Sequence, residues 1–174
     1  YKIFSNKILQ KVFDLMKVKK SFVAYYCEIS EIKELLIKVD QIGKDIILLV
    51  IKPCIIENFS TSYGIALKKI SNKHNFMIVV DNGLSNINYI NKDNLEWGDI
   101  MTIYPNNFVY SKNLDNIAFL SLKSNYKDNN NIIGQFSGFY KADRLNISSK
   151  LDDIDELKKC NFKNFDLILL GQQL

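Results

Sequence analysis

The sequence holds one histidine, His74, and three cysteines, Cys27, Cys54 and Cys160, with no Cys-x-x-Cys pair among them. Such a set leaves almost no way to assemble a zinc site from the usual ligand types. An odd number of widely spaced cysteines in apolar surroundings suits a reducing compartment, so an intracellular, cytoplasmic setting is expected. Glycine is scarce, at seven residues, and no Gly-x-Gly-x-x-Gly follows the first apolar run, where a dinucleotide fold needs close approach to a pyrophosphate. No apolar stretch approaches the roughly 18 residues of a membrane span. The first residues, Tyr1-Lys2-Ile3-Phe4, do not begin with Met and do not resemble a signal peptide. Nor is there a charge excess of one sign: 23 basic against 19 acidic residues leave +4, interleaved along the chain. The densest basic run, Lys17-Val18-Lys19-Lys20, lacks the aromatics that stack bases, so it reads as a solvated face and not as a nucleic-acid site.

What is present is the pattern of one globular domain across residues 1–174, with 47% hydrophobic and 24% charged residues. Asn6 to Ser21 carries apolar residues at helical spacing. Phe22 to Cys27 is a short apolar run, read as a buried strand. Ser30 is the expected cap of a second helix that places Ile32, Leu35, Leu36 and Val39 on one face and ends at Gly43. Asp45 to Ile51 reads as a second strand, stopped by Pro53, and Ser60 to Asn75 as a helix with Ile65, Ala66 and Ile70 inward. Phe76 to Asp81 is a third strand ending on an acid. Further strands are expected at Asp99 to Tyr104, Ile117 to Leu122, Ile132 to Phe139 and Phe165 to Gly171. Leu145 to Ser148 is a weaker one, and Asp152 to Cys160 a helix.

Continuous apolar strands alternating with amphipathic helices imply parallel pairing with both sheet faces covered. With the dinucleotide signature missing, a closed barrel is the better reading. At 174 residues it falls short of the roughly 200 that mark the lower end for complete barrels. The expected fold is therefore α/β, a trimmed (β/α)8 TIM-type barrel with a short N-terminal helix, lacking the helix after its last strand or continuing beyond the given chain.

The succession Cys27-Glu28-Ile29-Ser30 with Lys33-Glu34-Leu35-Leu36, then Ile55-Ile56-Glu57-Asn58-Phe59, then His74-Asn75-Phe76-Met77-Ile78-Val79-Val80-Asp81, resembles the orotidine 5′-phosphate decarboxylase family. It is most similar to the form fused in eukaryotic UMP synthase. Trp97-Gly98-Asp99-Ile100 looks like the opening of the family's fourth strand. Ile133-Gly134 with Ser137-Gly138 resembles its sixth, and Phe165-Asp166-Leu167-Ile168-Leu169-Leu170-Gly171 its eighth. The resemblance implies a barrel whose chemistry rests on alternating Asp and Lys at the C-terminal ends of the first three strands, working through preorganised electrostatics.

Carried over position by position, that cluster is mostly absent. The first-strand Asp is Glu28, and the second-strand Lys falls on Val50. In Asp81-Asn82-Gly83-Leu84-Ser85-Asn86 only the first acid survives: the proton donor has become Gly83 and the second acid Asn86. The Arg that clamps the substrate phosphate is replaced by Gln172, which offers no charged fork. No Ser-Ser-x-Gly loop follows Leu122-Lys123-Ser124.

Bland readings stand beside these. Lys52 lies two residues beyond Val50 and faces the same way, toward the old substrate site or out to solvent. Asp81 is either a ligand for a ribose hydroxyl or a loop cap. Glu28 is a candidate contact for a small ligand. His74 reads as a surface residue, Cys54 as packed and inert, Trp97 as a packing residue, and Gly171 as loop geometry. The resulting expectation is a catalytically inactive, decarboxylase-like pseudoenzyme without a cofactor. It would serve as a structural or protein-interaction subunit, as a homodimer or with another chain. The alternatives are a UMP- or orotidylate-binding protein and a divergent active decarboxylase.

Overall fold

Runs such as Leu48-Leu49-Val50-Ile51 bury every side chain, which a strand does only when both faces of its sheet are covered. In the computed structural model, which describes residues 6–81, 96–103, 118–121, 132–136 and 144–172, eight strands pair in parallel. They are β1 Val23–Cys27, β2 Leu48–Ile51, β3 Met77–Val80, β4 Ile100–Ile103, β5 Ala118–Ser121, β6 Ile132–Phe136, β7 Leu145–Ile147 and β8 Ile168–Leu170. Neighbours in the sheet run from β7 down to β1 and then to β8. Bridges from Ile147 to Leu167 and from Leu151 to Leu170 bring β8 back against β7 and the segment after it. The sheet is thus a barrel that closes through a short seam. The helices are α1 Lys7–Lys19, α2 Ile32–Ile42, α3 Thr61–His74 and α4 Ile154–Lys159. The trimmed TIM-type barrel expected from the sequence is present, including the weaker strand at Leu145. None of the helices among the described residues is long and apolar enough to cross a membrane.

Alternation sorts the strand residues into two sets. Ala24, Leu48, Val50, Val79, Ile100 and Leu169 belong to an inner cluster with Leu9, Val12 and Leu15 of α1. Tyr25, Leu49, Ile51, Ile78 and Val80 belong to an outer one with Leu35 and Val39 of α2 and Leu67 of α3. The end of α1 lies against the starts of β2 and β3, so this helix plugs the N-terminal mouth of the barrel. Lys19 fixes it there. Its Nζ donates to the carbonyls of Gly43 (2.8 Å), Ile46 (2.6 Å), His74 (3.0 Å) and Asn75 (3.2 Å). Gly43 and Asn75 are the C-caps of α2 and α3, where the helix dipoles favour a cation. Burial pulls the Lys19 pKa down, and the charge of Asp45 opposes that pull.

The motifs at Asp99 and Asp166 set strand register at the same end. Asp99 accepts from the Ile78 N–H (2.8 Å) and the Lys68 ammonium of α3 (2.5 Å), while its own N–H donates to Ile78 (2.9 Å). Asp166 accepts from the Asn146 N–H (2.8 Å) and returns its own N–H to Asn146 (2.8 Å). Trp97, 1% exposed, lies flat on Gly64, where a Cβ would overlap the indole, and 5.3 Å from the Phe59 ring.

Several local expectations are corrected. Glu31, not Ser30, caps α2, its carboxylate accepting from the N–H groups of Lys33 (3.1 Å) and Glu34 (2.7 Å). The inward face of α3 is Gly64, Leu67 and Ser71, because Trp97 needs the glycine; Ile65 is 42% exposed. Cys54 is exposed, on a 3-10 turn at Pro53–Ile55 outside the barrel wall. His74 is half-buried and 2.7 Å from Asp40. Ser137, Gly138 and Ser124 lie outside the described residues.

Replacing Lys19 by Met keeps the stem and removes the charge that four carbonyls share. Hydrogen bonds to a charged group contribute about 1.5–3 kcal/mol, so Lys19→Met should lose about 2–3 kcal/mol, or about 5–10 °C of melting temperature in a chain of this size. Differential scanning calorimetry reads this directly, and an unchanged melting temperature would remove Lys19 from the account.

Candidate functional site

At the C-terminal ends of the strands the inner positions cease to be purely apolar. Tyr26, Glu28, Val50, Asp81, Thr102, Phe136, Lys150 and Leu169 line a cavity of about 240 Å³. The placement follows from pairing. Tyr26 lies opposite Val50, which lies opposite Val79; two residues on from Val79 and from Ile100, the same inward direction falls to Asp81 and Thr102. Val50, Phe136 and Leu169 form the apolar floor, and Val50 is fully buried.

Asp81 ties three strands together. Its backbone N–H donates to Ile51 (2.7 Å), and its carboxylate accepts from the Tyr26 hydroxyl (2.6 Å) and the Thr102 hydroxyl (2.9 Å). Tyr26 is correspondingly reluctant to ionise: burial, the hydrogen bond to Asp81 and the Asp81 charge all push its phenol far above the ordinary range. On the outer face of the same strand, burial pushes Tyr25 up to about 12.

A second network crosses the barrel seam. Lys150, three residues after β7, reaches Glu28 at 2.9 Å and Asp152 at 3.4 Å, with its Nζ 5.2 Å from the centre of the Tyr26 ring, within cation–π range. Burial pulls the Lys150 pKa down, but the hydrogen bond and charge of Glu28, followed by Asp152, carry it above its ordinary value. Gln172 belongs to this edge too: its side-chain oxygen accepts from the Glu28 N–H (3.1 Å). A Cβ on Gly171 would overlap the Asp152 carboxylate, so glycine there lets the end of β8 approach this network.

Of the positions singled out from the sequence, Glu28, Val50 and Asp81 meet in the cavity and Gln172 borders it through Glu28. Lys52 is half-buried and does not line the cavity. Gly83 and Asn86 lie outside the described residues. Sequence reading missed Tyr26, Thr102, Phe136 and Lys150. Strand alternation from Glu28 and Ile100 carries a signal for the first two. Lys150 carries none, since it follows a three-residue strand and an irregular Ser148-Ser149. Among the described residues no group of three or more His, Cys, Asp or Glu is placed to hold a metal ion.

No family model matches the sequence. The chain is 36% identical over 76 residues to the orotidine 5′-phosphate decarboxylase of Solorina crocea, a match spanning 44% of this chain and 27% of that protein. Among solved structures it is similar to KGPDC from Streptococcus mutans, with TM-score 0.62 and 11% identity over 87% of this chain and 88% of that one. It is also similar to the DAHP synthase of Thermotoga maritima, with TM-score 0.55 and 11% identity over 87% and 59% of the two chains. The YdjI aldolase of Escherichia coli gives TM-score 0.54 and 7% identity over 97% and 81%. The structural likenesses establish the barrel. The sequence match agrees with the resemblance to the orotidine 5′-phosphate decarboxylases read from the strand motifs.

The buried Tyr25 and the half-buried Tyr26 contribute to the alkaline behaviour. Unfolded tyrosines release protons near 10, whereas Tyr25 and Tyr26 retain theirs to higher pH. Above that point the folded state binds more protons, so stability falls as pH rises. Lys150, also raised, acts in the same direction: its pairing with Glu28 stabilises below the ordinary lysine value of 10.5 and is lost as pH passes its folded pKa. In a tyrosinate absorbance titration at least two of the nine tyrosines should ionise late, together with loss of near-UV dichroism. Tyr26→Phe should remove one of them. Ionisation of all phenols in one early step would contradict this account.

Proposed function

We propose that this chain is a catalytically silent relative of the orotidine 5′-phosphate decarboxylases that acts by binding, as a structural or protein-interaction subunit in a reducing intracellular compartment. The observation that carries the reading is Val50. It is fully buried in the cavity floor, at the position where the resemblance places a strand lysine, and it has neither charge nor proton to offer. Gln172 supports the same reading, since its side-chain oxygen is committed to the Glu28 backbone where the resemblance calls for a phosphate-clamping arginine. The apolar scaffold is retained while the opposed charges that would expel carbon dioxide are reduced. Each tenfold of lost rate corresponds to about 1.4 kcal/mol of transition-state stabilisation, and two neutral replacements remove several such steps.

Lys150 favours a second reading. It brings an ammonium into the mouth from the seventh strand, beside Glu28 and over Tyr26, and that cation would be the anchor for UMP or orotidylate, or the charge of a rearranged decarboxylase. An incoming anion would have to draw it away from Glu28 and Asp152, which weighs against this reading.

Purified protein given orotidylate should form UMP at a rate far short of the about 10⁶-fold acceleration that marks even a modest enzyme. Calorimetry with UMP at millimolar concentration should register no heat. Turnover that disappears in Lys150→Met would establish the rearranged enzyme, and saturable heat without turnover the nucleotide-binding protein.

Two of the structurally similar proteins are named as aldolases, and an amine nucleophile is one way a barrel acts on carbonyl compounds. Lys150 is unsuited to that role, because Glu28 holds it protonated. Borohydride added with a small aldehyde or ketone should leave no reduced adduct at Lys150 by peptide mass spectrometry at neutral pH; a stoichiometric adduct there would refute the assignment.

A further inference from the structure

The densest basic run, Lys17-Val18-Lys19-Lys20, has no aromatic residue within it, but the fold sets two beside it. Phe22 precedes β1, and Phe162 opens a 3-10 turn, Phe162–Asn164, ahead of β8. The two rings meet edge-on, 6.5 Å apart with their planes at 68°. The Phe22 carbonyl accepts from the Ile168 N–H (2.9 Å), so both rings lie at the N-terminal end of the barrel, remote from the mouth. They are open to solvent: Phe22 is 52% exposed and Phe162 46%, and Val18 at the end of α1 is 74% exposed.

The segments that carry these side chains hold charge of one sign. Residues 15–22 and 157–165 contain Lys17, Lys19, Lys20, Lys158, Lys159 and Lys163 and no acidic residue. Lys19 is held by its four carbonyls, and the other five are exposed. Acids stand at the border, and three of them are engaged by donors of their own: Asp14 by Gln10 (2.9 Å), Glu156 by the Asp152 N–H (2.6 Å) and Asp166 by the Asn146 N–H (2.8 Å). The fourth, Asp45, follows Lys44 in the chain. This end of the barrel thus presents three apolar tips among ammonium groups.

We propose that this end of the barrel docks on an anionic lipid bilayer, with Val18, Phe22 and Phe162 entering the headgroup region and the lysines lying beside its anionic groups. Such an interface suits apolar tips among lysines: it demands no particular shape of the apolar part, and lysine acts on it as a point charge. A single-stranded nucleic acid would call for flat ring faces on which bases stack. Here the edge of one ring already occupies the face of the other, and Val18 has no ring. The protein lies on the surface without crossing it. Patch and mouth are at opposite ends of the barrel, so docking leaves the mouth turned to solution. The assays for turnover and for nucleotide therefore leave the proposal untouched.

Flotation of the whole chain with lipid vesicles tests it. The chain should float with vesicles of phosphatidylcholine and phosphatidylserine and not with phosphatidylcholine alone, and added salt should release it. A lysine near such a surface changes binding about fivefold, so Lys158→Gln with Lys163→Gln should weaken it about twentyfold. Val18→Ser should weaken it about fivefold. Lys33→Gln with Lys69→Gln removes the same charge from the outer helices and should leave binding nearly unchanged. All of these positions are exposed, and far-UV dichroism verifies that each variant folds. A chain that floats with neither vesicle overturns the proposal. So does equal flotation with both, or a loss that the two lysine pairs share alike. Without vesicles, the fluorescence anisotropy of a labelled single-stranded oligonucleotide should stay flat at the same salt. Saturable binding there, abolished by Lys158→Gln with Lys163→Gln, would assign the patch to nucleic acid instead.

Discussion

The alternation of inward and outward side chains along parallel strands is the constraint on which the rest of this structure depends. Strands such as β2 and β3 are buried on both faces, so hydrophobicity alone does not tell a strand which residues to turn inward. A slip of one residue in β3 would carry Asp81 out of the mouth, and one in β8 would do the same to Leu169. Asp99 and Asp166 oppose that slip. Each exchanges a backbone N–H and a carboxylate with the neighbouring strand at a single residue, Ile78 or Asn146. Acids at the closed end of the barrel thus hold the alignment on which the open end relies.

At the open end the same alternation delivers a small, mixed surface. Its floor is aliphatic and aromatic, its wall carries a carboxylate held by two hydroxyls, and its rim carries an ammonium shared by two further carboxylates. Each described charge in the lining has a partner from another strand or loop. This mutual satisfaction contributes to closing the ring, since Glu28 and Lys150 span the seam where β1, β8 and the end of β7 come together. It also opposes chemistry, because a group that is already neutralised has less to gain from a developing charge on a substrate.

Much of the scaffold was legible in the sequence. All eight strands were, because buried parallel strands leave uninterrupted apolar runs such as Ile46 to Ile51 and Phe76 to Val80. Helix faces were less legible: in α3 the isoleucines suggested one face, but the bulk of Trp97, distant in sequence, demanded glycine on another. The α2 cap was displaced by one residue because a glutamate can serve as well as a serine when its carboxylate reaches back over the first turn. In the mouth, Glu28, Val50 and Asp81 were legible through the family-like motifs. Lys150 was not, because the segment that presents it has no periodicity and its importance arises only from closure of the ring. Cys54 was misjudged for the opposite reason, an apolar neighbourhood in sequence that becomes an outer turn in space.

The four carbonyls that hold the Lys19 ammonium come from residues 43 to 75. During synthesis the first helix therefore emerges well before its anchorage exists. It gains its full set of partners only after two strand–helix units have followed it, the last two carbonyls lying at the end of α3. The plug at the N-terminal mouth is thus fastened by backbone that follows it in the chain, and its anchorage is complete only when α2 and α3 have both formed their C-terminal ends.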